Sequence, residues 1–139
     1  SMLFICMELL HSLKRLLIEK KIAELQDMVY ITYSIQHTGE SKHGQFRKRR
    51  HEKEENGQRI TDYDILNLCK SAKSDITQYI VIGEIVDGVR FIVSQKDSPH
   101  LNLVIEPSEN SPYDWTLTVV TVMNNEYFKI GLNQLRIIV

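Results

Sequence analysis

Glycine and proline are scarce in this 139-residue chain, six and three respectively, and none of them falls between Leu3 and Val29. No glycine-rich loop follows an apolar β-type run, so the phosphate cradle of a nucleotide hydrolase is not expected. Cysteine is rarer still. Cys6 and Cys69 stand far apart with no CxxC pair, which excludes a disulfide framework and points to a reducing, cytoplasmic setting. A zinc site from His37, His43, His51 and Cys69 lacks the closely paired ligands that structural zinc uses, and neither metal nor cofactor is expected. Long apolar runs are missing too. Leu3–Met7 has no basic leader and soon meets Glu8, Lys14 and Arg15, so neither an export signal nor a membrane partner is expected. Charge of one sign is also lacking. A formal net charge of -1 argues against a protein that coats nucleic acid with its whole surface.

What is present fits a soluble globular chain, with 42% hydrophobic and 25% charged residues, long enough for one hydrophobic core. One domain over 1–139 is expected. Leu9, Leu13, Leu16, Leu17, Ile22 and Leu25 recur at three- and four-residue intervals, predicting an amphipathic helix over 3–29 with Lys14, Arg15, Glu19, Lys20, Lys21 and Glu24 on its solvated side. Tyr30–Gln36 alternates loosely and leads into the turn-like His37-Thr-Gly-Glu. A basic helix is expected from about Ser41, and another after Thr61-Asp-Tyr-Asp, where a threonine N-cap precedes early acids. After Ser74 the pattern becomes β-rich: strands are expected at Tyr79–Val86, Val89–Gln95, Leu101–Glu106, Trp115–Met123 and Leu135–Val139. Asp87-Gly88 reads as a hairpin turn, Asp97-Ser-Pro-His as a second connection and Pro107–Asp114 as a longer loop. The expected class is α+β: N-terminal helices, then a four- to five-stranded antiparallel sheet within a 30–139 core.

The chemistry concentrates in one place. Between Lys42 and Arg59 stand seven basic residues (Lys42, Arg47, Lys48, Arg49, Arg50, Lys53 and Arg59) against three acids, with His43 and His51 added. On a helix, His43 and Arg47 are four apart and Arg47 and Arg50 three apart, so one imidazole shares a face with two guanidinium groups. This suits RNA cleavage, in which a proton moves to or from the 2′-hydroxyl or the leaving oxygen while negative charge builds on phosphorus. Histidine titrates near pH 6.5, and neighbouring arginines would push it toward the neutral base. Arginine's planar fork also holds two phosphate oxygens at once. A solvated charged helix would show the same spacing.

Ser41-Lys-His43-Gly-Gln-Phe-Arg47-Lys-Arg-Arg50, followed by Arg59-Ile-Thr-Asp-Tyr-Asp64-Ile65, resembles the pattern His-small-x-x-Arg-x-x-x-Arg then Ile-Thr/Ser-x-x-Asp-Ile. That pattern belongs to the barnase, EndoU, colicin and RelE-like (BECR) endoribonuclease superfamily, and the RegB-type phage endoribonucleases are similar in style. Val119-Val-Thr121-Val matches the family's late strand, and the likeness covers roughly residues 30–125. The resemblance implies metal-independent cleavage to a 2′,3′-cyclic phosphate, by a toxin-like or phage-type enzyme whose partners are RNA and an inhibitor or antitoxin protein. It implies His43 as general acid or base, Arg47 and Arg50 on the scissile phosphate and Thr121 orienting a phosphate oxygen or the imidazole. Nine residues, His51–Arg59, separate the two halves of the motif, which leaves open which of Arg47, Arg49 and Arg50 contacts phosphate.

Lys42, Lys48, Arg49, Lys96 and His37 are further candidates for RNA contact, Lys96 and His100 because they flank a hairpin connection where RNA could pass. Strand alternation puts Thr118 on the opposite face from Thr121. Trp115 and Tyr127 read as packing residues. The competing reading is a non-catalytic module, such as an antitoxin, immunity protein or phage host-takeover factor, that binds nucleic acid or protein through the basic helix. The long first helix also leaves room for a homodimer seam.

Overall fold

A computed structural model describes residues 1–36, 60–97, 99–124, 129, 131 and 133–139. His37, Lys42, His43, Arg47, Lys48, Arg49, Arg50, His51 and Tyr127, and the helix expected from Ser41, lie outside the described residues. Three helices and five strands are described: α1 (Met2–Met28), β1 (Tyr30–Ile35), α2 (Asp62–Ser71), α3 (Lys73–Val81), β2 (Phe91–Ser94), β3 (Leu101–Ser111), β4 (Asp114–Asn124) and β5 (Arg136–Ile138). The class is α+β, but the sheet is mixed where an antiparallel one was expected. Its order is β1-β4-β3-β2-β5. β2, β3 and β4 form the antiparallel meander, while β1 runs parallel to β4 and β5 parallel to β2. Long connections make this possible: parallel neighbours need a crossover, and helices lie between β1 and the meander.

The helices start and stop for local reasons. Thr61 and Asp64 form a reciprocal capping box at α2, with Thr61 N–H donating to Asp64 Oδ2 at 2.8 Å and Asp64 N–H to Thr61 Oγ1 at 3.2 Å, a cap worth about 1 kcal/mol. The strand expected over Tyr79–Val86 is instead the end of α3 and the turn behind it. Ile76 and Ile80, four apart and both buried, fix the helical period over a β-branched run. Gly83 then ends the helix at φ 79°, with Glu84 N–H donating to Tyr79 O at 2.9 Å and Gly83 N–H to Ile80 O at 3.2 Å. Because α3 occupies Tyr79–Val81, Asp87-Gly88 is a turn into β2 and not a β-hairpin. It is pinned to the far half of β3, with Gly88 N–H donating to Pro107 O at 2.8 Å and Glu109 N–H to Asp87 Oδ1 at 2.7 Å.

The expected 107–114 loop is mostly strand. β3 runs on to Ser111, leaving Pro112-Tyr113 as the turn. Pro107 is tolerated there because β2 begins opposite Ile105, so no β2 residue faces position 107 and its missing N–H.

One face of the sheet packs on the helices. Ile65, Leu68, Cys69, Ala72, Ile76 and Ile80 meet Phe91, Val93, Leu103, Ile105, Leu117, Val119 and Ile137 in one buried cluster. Each large side chain there contributes roughly 1.5–3 kcal/mol by burial. α1 joins this body through its last turns only as far as burial shows: residues 2–21 are exposed, Ile22, Leu25 and Gln26 half-buried, and Gln26 Nε2 donates to Ser74 O at 3.2 Å.

Candidate functional site

Of the residues expected to act on RNA, Thr121 and Lys96 are described. Thr121 lies on β4 just past a bulge. The register pairs Val104 with Thr121 but Ile105 with Val119, leaving Val120 as the extra residue. A bulge moves the alternation on by one residue. Leu117, Val119 and Val122 therefore all join the helix-side core, and Thr116, Thr118 and Thr121 all share the other face. The expected separation of Thr118 from Thr121 is thus corrected, since strict alternation holds only in a strand without an inserted residue.

Strand pairing makes Thr121 the first member of a row that crosses four strands. Thr121 pairs with Val104, Val104 with Ile92 and Ile92 with Arg136. In the next row stand Met123, Asn102, Ser94 and Ile138. Arg136 bridges the two rows, its Nε donating to Ser94 Oγ at 2.8 Å and its Nη2 to Asn102 Oδ1 at 3.3 Å. Ser94 Oγ also donates to Asn102 Oδ1 at 2.6 Å, and Asn102 Nδ2 donates to His100 O at 3.0 Å. Ser94 and Asn102 are 3% and 2% exposed, so this is a buried polar network in which hydrogen bonding offsets desolvation. Asn102 stands diagonal to Thr121, a separation of about 7–8 Å between Cα atoms. The network stands on the same sheet face as Thr121, and sequence reasoning missed it. A lone arginine in the apolar run Leu135–Val139 was its one sequence signal.

The face changes along its width. Toward β1 it is a hydroxyl ladder in which Thr32 pairs with Thr116 and Ser34 with Thr118, Thr32 and Ser34 being exposed. Opposite Thr118 stands Glu106, ion-paired to Arg90 at 3.8 Å. The Thr118 row therefore meets the Glu106–Arg90 ion pair, and the Thr121 row ends on Arg136. Lys96 is exposed on the β2–β3 connection, its backbone N–H donating to Val139 O at 2.8 Å. His100, on the same connection, adopts φ 53°, in the left-handed region where histidine is enriched among side-chain-bearing residues.

A cleft of about 290 Å³ between α2 and the β2–β3 connection is lined by Asp64 and Asp97, with no lysine or arginine among the described residues, the wrong sign for phosphate. Trp115 is buried, as expected for packing, and its Nε1 donates to Pro112 O at 3.2 Å. Burial pushes the Cys69 thiol up to about 12, which keeps it protonated and unsuited to nucleophilic or thiolate chemistry at neutral pH. Burial, and secondarily Cys69, also raises the Tyr33 phenol well above its ordinary value. Among the described residues no cluster of three histidine, cysteine or acidic side chains suits a metal, and no helix is long and apolar enough to cross a membrane.

Comparison with known proteins finds no matching family model, no matching curated protein and no matching solved structure.

Proposed function

We propose that the chain is a metal-independent endoribonuclease of the toxin-like or phage type, cleaving RNA by attack of the 2′-hydroxyl on the adjacent phosphorus to leave a 2′,3′-cyclic phosphate. His43 takes the proton of the 2′-hydroxyl or delivers one to the departing 5′-oxygen, and Arg47 and Arg50 hold the phosphate oxygens. Thr121 orients the phosphate or the imidazole from the sheet. Lys42, Lys48, Arg49, Lys96 and His37 line the path of the strand, and an inhibitor protein would act by covering it.

Support comes from the His43-Arg47-Arg50 spacing and its continuation into Ile60-Thr61, together with one structural observation that carries it onto the fold. The bulge at Val120 turns Thr121 to the sheet face that also holds the Arg136 network. A strand without that bulge would bury the same threonine against α2 and α3.

Single-turnover cleavage of end-labelled RNA in EDTA tests the reading. Replacing His43 by Gln should abolish most of the rate and leave RNA affinity intact. Affinity without cleavage in both wild type and variant would instead identify a binding module built on the basic segment.

A further inference from the structure

β5 and the residue behind it hold the β2–β3 connection at both ends. At its start Lys96 N–H donates to Val139 O at 2.8 Å, and Val139 N–H donates to Ser94 O at 3.0 Å. At its end His100 O accepts from Asn102 Nδ2 at 3.0 Å, and Asn102 Oδ1 in turn accepts from Arg136 Nη2 at 3.3 Å. Between these anchors Gln95 N–H donates to Leu101 O at 2.7 Å and His100 N–H to Asp97 O at 2.9 Å. His100 sits at φ 53°, where a side chain crowds the backbone. The Asn102 bond falls on the carbonyl of that residue, so a 2% exposed amide fixes the least favoured step of the turn. Packing alone does not require polar groups here, since apolar Ile92, Val104 and Met123 fill adjoining positions of the same rows. A satisfied buried network instead selects one conformation.

Charge is sorted along the same connection. Gln95, Asp97 and Pro99 line the acidic cleft against α2, and neither Lys96 nor His100 is among the described residues that line it. Lys96 is exposed and His100 half-buried, so both basic side chains reach solvent while their backbones are fixed. Such preorganisation lessens the freedom lost on binding. We propose that Asn102 is a positioning residue for RNA binding: by fixing His100, it holds the connection in the form in which Lys96 and His100 meet the phosphodiester backbone of the strand. RNA as the ligand rests on the endoribonuclease reading, and the anchoring of the connection stands without it.

Fluorescence anisotropy with labelled 2′-O-methyl RNA tests this positioning, because that RNA keeps the phosphates and lacks the attacking hydroxyl. The wild type should bind, with an affinity that falls as salt rises. Asn102→Ala should weaken binding about fivefold or more and lower the salt slope by about one, as loss of a phosphate contact does, with Trp115 fluorescence unchanged. Removing the contacts themselves, by Lys96→Ala with His100→Gly, should weaken binding at least as far, glycine being at ease in the left-handed region. In that background a further Asn102→Ala should change affinity by less than about twofold, whereas a residue that merely supports the fold would have the same effect in both backgrounds. Where Asn102→Ala does not fold, Asn102→Leu with Ser94→Ala and Arg136→Met, which exchanges the network for apolar groups, is measured in its place. No binding by wild type, unchanged affinity in the folded network variant, or equal losses in the two backgrounds overturns the proposal. RNA bound with this dependence on Asn102, yet left uncut when its 2′-hydroxyls are free, would support the positioning and overturn the endoribonuclease reading alone.

Discussion

Arg136 on β5 reaches across β2 to Asn102 on β3, 34 residues away in the chain, and the Asn102 Oδ1 that accepts from its Nη2 accepts also from Ser94. Replacing Arg136 by Met keeps much of the side-chain volume but removes the bonds donated to Ser94 and Asn102, leaving these two under-satisfied in a buried setting. The expected cost is about 1–3 kcal/mol, read as a lower urea midpoint with an unchanged slope. Arg136→Lys should recover only part, because an ammonium lacks the fork that meets Ser94 and Asn102 together.

Thr121 and Thr118 share a face, but Thr118 stands opposite the ion-paired Glu106 and Thr121 opposite apolar Val104. Thr121→Val should lower the single-turnover cleavage rate by about tenfold or more, while Thr118→Val, beside Glu106, should leave it within about twofold. Equal effects of the two substitutions would remove Thr121 from the proposed site.

Tyr33 presents the opposite case to the Arg136 network. Its hydroxyl is buried and has no hydrogen-bond partner among the described residues. Tyr33→Phe should therefore be neutral or raise stability by up to about 1–2 kcal/mol in thermal or urea unfolding, since it removes an unpaid desolvation. A loss of more than about 1 kcal/mol would show that the oxygen is satisfied in solution.

The two cysteines should separate cleanly. An alkylating reagent at neutral pH should label exposed Cys6 at once and Cys69 only after unfolding. Cys69 also links stability to alkaline pH. Its folded value, about 12, stands above the ordinary 9.0, so the unfolded chain releases its proton first. Stability is fully present below pH 9 and declines as pH rises toward 12. Cys69→Ala should start less stable and show a flatter decline between pH 9 and 10, before tyrosines contribute.

Legibility in the sequence followed the range of the interactions. The Thr61 cap and the helical period of α1 depend on neighbours a few residues away and are readable, whereas Asp87-Gly88 reads as a turn but not as the one it is, because it is held by Pro107 and Glu109 on β3. Tyr79–Val81 was misread because its β-branched run outweighed the single four-residue step from Ile76 to Ile80, and Gly83 was the overlooked stop signal. Pro107 suggested a loop because nothing in the sequence announces that β2 is shorter than β3. The parallel placement of β1 and β5, the Val120 bulge and the Arg136 network depend on partners tens of residues away, and the only local trace is the lone arginine in the apolar run Leu135–Val139. Strict alternation assigned Thr118 to the face opposite Thr121, because nothing local announces the Val120 bulge.

The chemistry of the cut ends tests the central claim most directly. RNA incubated with the protein in EDTA should yield 5′-hydroxyl fragments whose opposite ends carry the mass of a 2′,3′-cyclic phosphate, and His43→Gln should yield none. Fragments ending in 3′-hydroxyl groups, or cleavage equal in wild type and the His43 variant, would contradict it.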